Sequence, residues 1–438
     1  MKNSLLLFIL SILFITSCNQ KKIKAEDYDA KILNSWNKAI LNLAIEEDKL
    51  LTLKGVRTLA MMHTAIHDAL NTIVPKYSRY TFEGEHQETN PIATAAYAAY
   101  EVAMNQFPDK KDFLEDELNK WILDIEADQD ENRSKQLGEE AAKSILNKRL
   151  DDKWDGEAEY QWHPMAPGVY AEFRDHSGTP EGFVFGSGWA KAQPFMLPKQ
   201  DYFRSPPPPE INSDAYTEAF NEVKDVGSFE SDTRTKDQEH LAMWWKDFVE
   251  NSHNRLAREL VEIEKLNLWE ASRVFALMNM AIYDAYVNVF DNKFHYNHWR
   301  PYTAIRWADN DENPNTEVDM EWNNLHKHTY AFPSYPSAHG TASAAAMTVL
   351  ANTLGTGNNY QFTMTTEKVD KAGPFSEKIE MNPATRSFNS FSEAAMEASM
   401  SRVYLGIHFR YDSEEGHKLG TKIGNYAIEN FLTESSSD

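Results

Sequence analysis

The chain has 438 residues, 42% of them hydrophobic and 12% aromatic, enough to bury more than one small core. A formal charge of -23 argues against nucleic acid as a partner and against a polybasic grip on anionic lipid. The single cysteine excludes a disulfide within the chain, so core packing must hold the fold.

Residues 1–17 carry Lys2 and then an apolar run from Leu5 to Ile15, broken only by Ser11. The run is too short to span a bilayer and reads as an export signal. Ile15-Thr16-Ser17-Cys18 resembles the lipobox of bacterial lipoproteins, which implies acylation of Cys18. An ordinary signal peptide with a chance cysteine is the plainer alternative. The expectation is an exported protein, in the periplasm or at the cell surface, anchored to the outer membrane by lipid alone through a polar tether at residues 18–30.

Residues 31–150 read as an amino-terminal helical half that serves as scaffold. Apolar residues recur at helical spacing in Ile32, Trp36, Ile40 and Leu43, and again in Val56, Leu59, Ala60, Met62, Ile66 and Leu70; Ala93 to Met104 is rich in alanine. His63 and His67 resemble half of a metal site, but no second pair accompanies them, and packing is the simpler reading. Asp128-x-Asp130-x-Asn132 and Asp309-x-Asp311-x-Asn313 faintly resemble calcium loops; both lack glycine at the sixth position and read as solvated turns. Residues 151–210 change character, with Gly156, Pro164, Pro167-Gly168, Pro180 and the Pro206–Pro209 run interrupting any long helix. Trp154, Trp162, Phe183, Phe185, Trp189, Phe195 and Phe203 make this an ordered connector wrapped on the helices.

Residues 211–438 form the carboxy-terminal helical half. Helices are predicted over Arg234 to Phe248, Leu256 to Glu264 and Trp269 to Phe290. The last repeats an earlier one, since Arg57, Ala60, Met62, Ala65, Ile66, Asp68 and Ala69 recur as Arg273, Ala276, Met278, Ala281, Ile282, Asp284 and Ala285 at one offset. Leu137-Gly138 and Leu419-Gly420 echo each other more weakly, at another offset. Asp284 lies among apolar residues and needs a partner; Arg402 or Lys293 is the candidate, and a purely structural aspartate is the equal alternative.

Three later stretches carry the chemistry. Lys293 is followed at a spacing of six residues by Arg300-Pro301, where proline suits the first turn of a helix through Arg306. Pro336-Ser337-Ala338-His339 opens another helix, with Ser337 as its cap and first-turn amides free to face an anion. Ser401-Arg402 continues a helix that Gly406 ends, His408 sits on the turn, and Asp412-Ser413-Glu414-Glu415 reads as a capping box in which one Asp412 oxygen caps while the other holds His408. The last stretch alone fits a structural Arg–Asp pair beside a core histidine. Together the three supply three permanent cations, a hydroxyl and two imidazoles, a set that suits a tetrahedral oxyanion and repels a metal cation.

Their order and spacing resemble the signature shared by the vanadium-dependent haloperoxidases and the acid phosphatase and type 2 phosphatidic acid phosphatase superfamily: Lys-x6-Arg-Pro, Pro-Ser-Gly-His, Ser-Arg-x5-His-x3-Asp. Every fixed position matches except one, where Ala338 adds a methyl group in place of the glycine that lets an amide approach an anion closely. The resemblance implies an all-α fold of two pseudo-repeated helical bundles packed together. It implies orthovanadate as cofactor, with His408 as apical ligand to vanadium, and with Lys293, Arg300, Ser337, the Ala338 amide, His339 and Arg402 around its oxygens; phosphate can take the same place. His339 would handle peroxide protons, Lys293 would polarise the peroxide, and Asp412 and Asp284 would support from behind. The substrates implied are hydrogen peroxide and a halide, iodide or bromide foremost, giving hypohalous acid for a small organic acceptor. Phe332, His298 and Trp299, with His295, are the candidates for the halide path.

The main alternative is a phosphoester hydrolase in which His408 attacks phosphorus, Asp412 holds the imidazole and His339 protonates the leaving group. The chain's length, its duplication, the lack of several spanning helices and the run Phe332-Pro333-x-Tyr335-Pro336-Ser337 favour the peroxidase. A lipoprotein scaffold with a decayed site is the third reading.

Overall fold

The structure is a computed structural model that describes residues 23–49, 52–85, 89–123, 129–171 and 184–435. The export signal, Cys18 and the start of the tether lie outside the described residues. So does Asp128 of the first acidic loop. The far end of the tether is docked, contrary to expectation. Ala25 and Ala30 are buried, the Tyr28 ring lies 6.0 Å from Trp269, and the Tyr28 carbonyl accepts from the Leu268 amide at 2.9 Å. Part of the stretch read as tether is therefore held on the core, by an aromatic ring and a backbone hydrogen bond.

The two helices that carry the repeat, α2 (Lys54–Ile73) and α9 (Leu268–Tyr296), pack directly against each other. α1 (Lys31–Asp48) lies across α2, and α3 (Pro91–Gln106), α4 (Lys111–Ile122) and α5 (Gln129–Lys148) complete the first bundle. After the connector come α6 (Asp214–Val226), α7 (Lys236–Trp244) and α8 (Val249–Ile263), then α9 and the short α10 (Pro301–Arg306). α11 (Ala338–Thr353), α12 (Phe391–Tyr404) and α13 (Arg410–Asn430) close the second bundle around α9. A single hydrophobic cluster runs through both bundles, from Trp36 and Met62 to Phe275, Leu350 and Ile423. Among the described residues, no helix is long and apolar enough to cross a membrane.

The weaker echo in the sequence marks equivalent close crossings. A Cβ on Gly138 of α5 would collide with the Thr94 carbonyl of α3, and one on Gly420 of α13 with the Thr341 carbonyl of α11. Helix pairs this close admit only glycine at the crossing.

Two elements depart from the predicted outline. The helix expected from Arg234 to Phe248 stops at Trp244, and α8 starts at Val249, before the expected Leu256. The first turns of α8 bury Glu250, Asn251, Ser252, His253 and Asn254, so polar residues fill core positions and hide the apolar periodicity. Between α11 and α12 the chain also forms two short two-stranded antiparallel sheets, the second nested between the strands of the first, which the sequence pattern does not predict. β1 (Phe362–Thr365) pairs with β4 (Thr385–Phe388), and β2 (Val369–Asp370) with β3 (Lys378–Ile379).

His63 and His67 serve packing. His63 stacks on Phe275 at 4.7 Å with its Nε2 3.1 Å from Asn37 Nδ2, and His67 meets Ser272 Oγ and the Ser78 carbonyl at 3.3 and 3.1 Å. Burial pushes them down to about 3 and about 4, so both are neutral at physiological pH. Asp311 and Asn313 are buried rather than solvated. Asp311 accepts from the Asn313 amide at 2.8 Å and the Thr316 hydroxyl at 2.8 Å, which shapes a turn from within.

Asp284 departs most sharply from its expected role. Its carboxylate accepts three successive connector amides, those of Phe195, Met196 and Leu197, the last two at 2.8 and 2.9 Å. Its repeat counterpart Asp68 does the same for Tyr80, Thr81 and Phe82 at 2.7, 2.7 and 3.0 Å. Neither Arg402 nor Lys293 bonds Asp284, because its face of α9 points to the connector. Farther along α9, Asn288 donates to the Gln200 carbonyl, Asn292 accepts the Ser205 amide, and the Tyr296 hydroxyl donates to the Ser205 carbonyl. One helix face thus fastens the connector to the core. Asp284→Ala leaves three buried amides unpaired and is expected to lower the unfolding free energy by about 3 kcal/mol in denaturant titration. Asp284→Asn, which keeps one acceptor oxygen, should lose less.

Candidate active site

The three motifs meet where α9 ends and α10, α11 and α13 begin. Lys293, in the last turn of α9, is fully buried and donates to the carbonyls of Pro333 and Ser334 at 3.1 and 2.6 Å. Arg300 is the residue before α10, with Pro301 at the helix start as predicted. Its Nε donates to the Phe332 carbonyl and its Nη1 to the Ile407 carbonyl, both at 2.9 Å, and Nη1 lies 3.2 Å from His408 Nε2. The Phe332 ring sits beneath both cations, 5.3 Å from Lys293 Nζ and 4.7 Å from Arg300 Cζ.

Ser337 caps α11, its Oγ accepting from the Gly340 amide at 3.3 Å. That leaves the Ala338 and His339 amides as first-turn donors beyond the reach of any carbonyl in their own helix. Arg402, in the last turn of α12, donates from Nη1 to the Trp245 carbonyl at 3.3 Å and lies close enough to Tyr330 to interact with its hydroxyl electrostatically. Gly406, at φ +81°, turns the chain out of α12 and sets His408 ahead of α13. His408 Nδ1 is 2.9 Å from Asp412 Oδ2, which also accepts the Ser334 hydroxyl and, at 3.1 Å, the Phe409 amide. The predicted division of labour within Asp412 is therefore wrong. One oxygen both holds the imidazole and caps α13, while Oδ1 is buried without a hydrogen-bond partner.

The electrostatics follow from burial. Lys293, Arg300 and Arg402 are all buried, and Asp412 is the carboxylate that acts on Lys293 and Arg300. Burial and Arg300 push Lys293 well below its usual range against the pull of Asp412, and burial brings Arg300 down to about 10. Burial, then the charges of Arg300, Lys293 and Arg402, push His408 well below the usual imidazole range. Burial, then Arg402 and His253, do the same to His339. Both rings are neutral at physiological pH. With Nδ1 donating to Asp412, the His408 Nε2 lone pair faces Arg300 and the cation group.

Residues 273–434 match the family described as the VCPO second helical-bundle domain. The solved structure of the first bacterial vanadium-dependent iodoperoxidase superposes with a TM-score of 0.72 at 22% identity, over 93% of this chain and 98% of that one. A holo-type bacterial vanadium-dependent chloroperoxidase gives 0.65 at 16% identity, over 86% of this chain and 91% of that one. The chain thus has the fold of the bacterial vanadium-dependent haloperoxidases, and its second half is similar to the second helical bundle of that family. A vanadium chloroperoxidase from Curvularia inaequalis is 24% identical over 201 residues, which are 38% of this chain and 32% of that protein. The sequence match thus spans about a third of the curated relative.

Within this haloperoxidase fold, the residues fit a bound oxyanion. Arg300 Nη2, Arg402 Nε and His339 Nε2 are buried polar atoms with no hydrogen-bond partner, one from each motif. Isolated buried cations cost several kcal/mol each unless a counter-charge compensates them. Three cations against one carboxylate leave room for a multiply charged anion such as vanadate, with His408 Nε2 as the nitrogen ligand. A metal cation finds only repulsion.

Two residues proposed for the halide path lie elsewhere. Trp299 is fully buried in a second core, its ring 6.4 Å from Tyr216 and 6.3 Å from Trp307. His298 is buried with Nε2 2.7 Å from the Tyr411 hydroxyl, behind the site. Aromatic packing drew both rings inward, and His295 is exposed. Asp284 is likewise remote from the oxyanion group. Sequence reasoning missed Ser334, Tyr330 and Trp245. Ser334 stands inside the Phe332–Ser337 run and had a weak signal there; the other two carry no motif and reach Arg402 only through the fold.

An oxyanion that binds here must stabilise the native state. Phosphate or vanadate at about 100 times its dissociation constant is expected to add about 2.7 kcal/mol, read as a rise in melting midpoint. Arg300→Ala should abolish the rise. A melt indifferent to either oxyanion in the parent protein removes the anion site.

Proposed function

We propose that this protein is a vanadate-dependent haloperoxidase that uses hydrogen peroxide to oxidise a halide, iodide first, to hypohalous acid. The observation that carries the reading is the excess of buried basic side chains, with unpartnered polar atoms from all three motifs, around the neutral His408 Nε2. Bound vanadate supplies the chemistry of activating peroxide toward two-electron oxidation of halide. The chain's own part is binding, orientation and proton handling. Lys293, Arg300 and Arg402 would hold and neutralise the anion, and Lys293 would also polarise the peroxide. Ser337 and the Ala338 amide would hold the anion at the start of α11, where the Ala338 methyl takes space that glycine would leave open.

His408 offers Nε2 because Asp412, itself braced by Ser334, keeps the proton on Nδ1. His339, neutral and with a free Nε2, accepts a proton from peroxide. Phe332 covers Lys293 and Arg300 with an apolar face and keeps water from them, and a halide approaches along that ring. Iodide is preferred in this reading because the iodoperoxidase fold matches over nearly the whole chain, and because iodide is the halide most easily oxidised. Hypohalous acid then passes to a small organic acceptor. The export signal and acylated Cys18 would hold this chemistry on the outer membrane, away from the cytoplasm.

Purified protein assayed with and without added vanadate should oxidise iodide in the presence of peroxide only when vanadate is present. Hydrolysis of a chromogenic phosphate ester, inhibited by vanadate, would instead make His408 a phosphoryl acceptor. His408→Ala is expected to lower turnover by at least about 100-fold, and full activity in that variant sinks its role. Ser334→Ala, which removes one donor from Asp412, should lower turnover by about tenfold, equivalent to about 1.4 kcal/mol of barrier.

A further inference from the structure

Behind Arg402 the structure closes a ring of polar contacts that no motif describes. Trp245, just beyond the end of α7, is fully buried and is gripped twice by α12. Its carbonyl accepts Arg402 Nη1 at 3.3 Å, and its indole N–H donates to Glu397 Oε1 at 2.9 Å. Glu397 is held in a fork by Arg386 of β4, with Nε and Nη2 each 2.7 Å from a carboxylate oxygen. Arg386 Nη1 in turn donates to Asp237 Oδ1 at 2.9 Å, which returns the circuit to α7.

The indole this circuit holds is near two imidazoles, 6.4 Å from His339 and 6.1 Å from His253 by ring centroids. His339 meets it edge-on, at 81°. The free edge of Arg402 and the free Nε2 of His339 are thus both referred to one residue, the first to its backbone carbonyl and the second to its ring. Lys246, the next residue, donates to the Asp370 and Ala372 carbonyls and ties the β2–β3 hairpin to the same turn.

We propose that Trp245 is a positioning residue for the oxyanion site, aiming Arg402 through its carbonyl and His339 through its ring, and that the Glu397–Arg386 pair sets the indole's orientation. The inference rests on the oxyanion reading above. Its consequence is that a pair reaching the surface, with side chains of Glu397 and Arg386 22% and 15% exposed, controls anion affinity at a buried site it does not touch.

The test is the dissociation constant for orthovanadate, and in parallel for inorganic phosphate, measured by calorimetry on the full chain. Glu397→Ala and Trp245→Phe each remove the indole hydrogen bond and are expected to weaken both anions by about tenfold. Glu397→Gln keeps an amide oxygen for the indole N–H and should bind within about twofold of the parent protein. Parental affinity in both Glu397→Ala and Trp245→Phe overturns the inference. So does a Glu397→Gln variant as weak as Glu397→Ala, because the charge and not the indole contact would then matter. A parent protein that binds neither anion overturns the oxyanion reading itself, a result distinct from any difference among the variants. Melting curves identify a variant that fails to fold, and Glu397→Gln, at a part-exposed position, keeps the comparison decisive.

Discussion

Three basic side chains buried beside one carboxylate, Asp412, are the constraint on which the rest of the structure depends. A guanidinium or ammonium taken out of water must be met by oxygen atoms, and here backbone carbonyls meet most of them: Pro333 and Ser334 for Lys293, Phe332 and Ile407 for Arg300, Trp245 for Arg402. Carbonyl dipoles only partly offset full charges. The remainder is an electrostatic demand for an anion, expressed in unpartnered buried polar atoms from three separate parts of the chain. Asp412 does not satisfy that demand, since its engaged oxygen is committed to His408, Ser334 and the start of α13.

The duplicated architecture explains how such a costly site is carried. Each bundle uses an aspartate on its central helix to collect three consecutive amides from the chain that follows or crosses it, Asp68 in one and Asp284 in the other. Each also packs one helix pair at glycine distance. These are stabilising devices, and they recur. The charged constellation does not, because at the repeat's offset Tyr77 and Gly84 stand where Lys293 and Arg300 stand. The first bundle therefore contributes core and a braced α9, whose final turn delivers Lys293 to the site.

Much of this was legible before any coordinates. The helical class, the duplication, the cap at Ser337, the helix start at Pro301 and the stop at Gly406 all follow from local rules that act within a turn or two of chain. Elements whose core face is polar were not legible, as the early start of α8 shows, because periodicity counts apolar residues and Glu250, His253 and Asn254 are buried without being apolar. Asp284, His298 and Trp299 were misassigned for a related reason. A polar or aromatic residue near a motif in sequence can face any direction around its helix, and only packing decides which.

The sequence by itself determined which charges exist, in what order and at what spacing, because those are covalent facts, and the three motifs were enough to point to an oxyanion. Tertiary structure alone decided which partners those charges meet. Ser334 behind Asp412, Tyr330 beside Arg402, and the circuit from Asp237 through Arg386 and Glu397 to Trp245 join residues far apart in the chain through contacts that exist only once the helices have packed. Hydrogen bonds act over a few ångströms, and no rule of sequence spacing encodes such distances between separate helices.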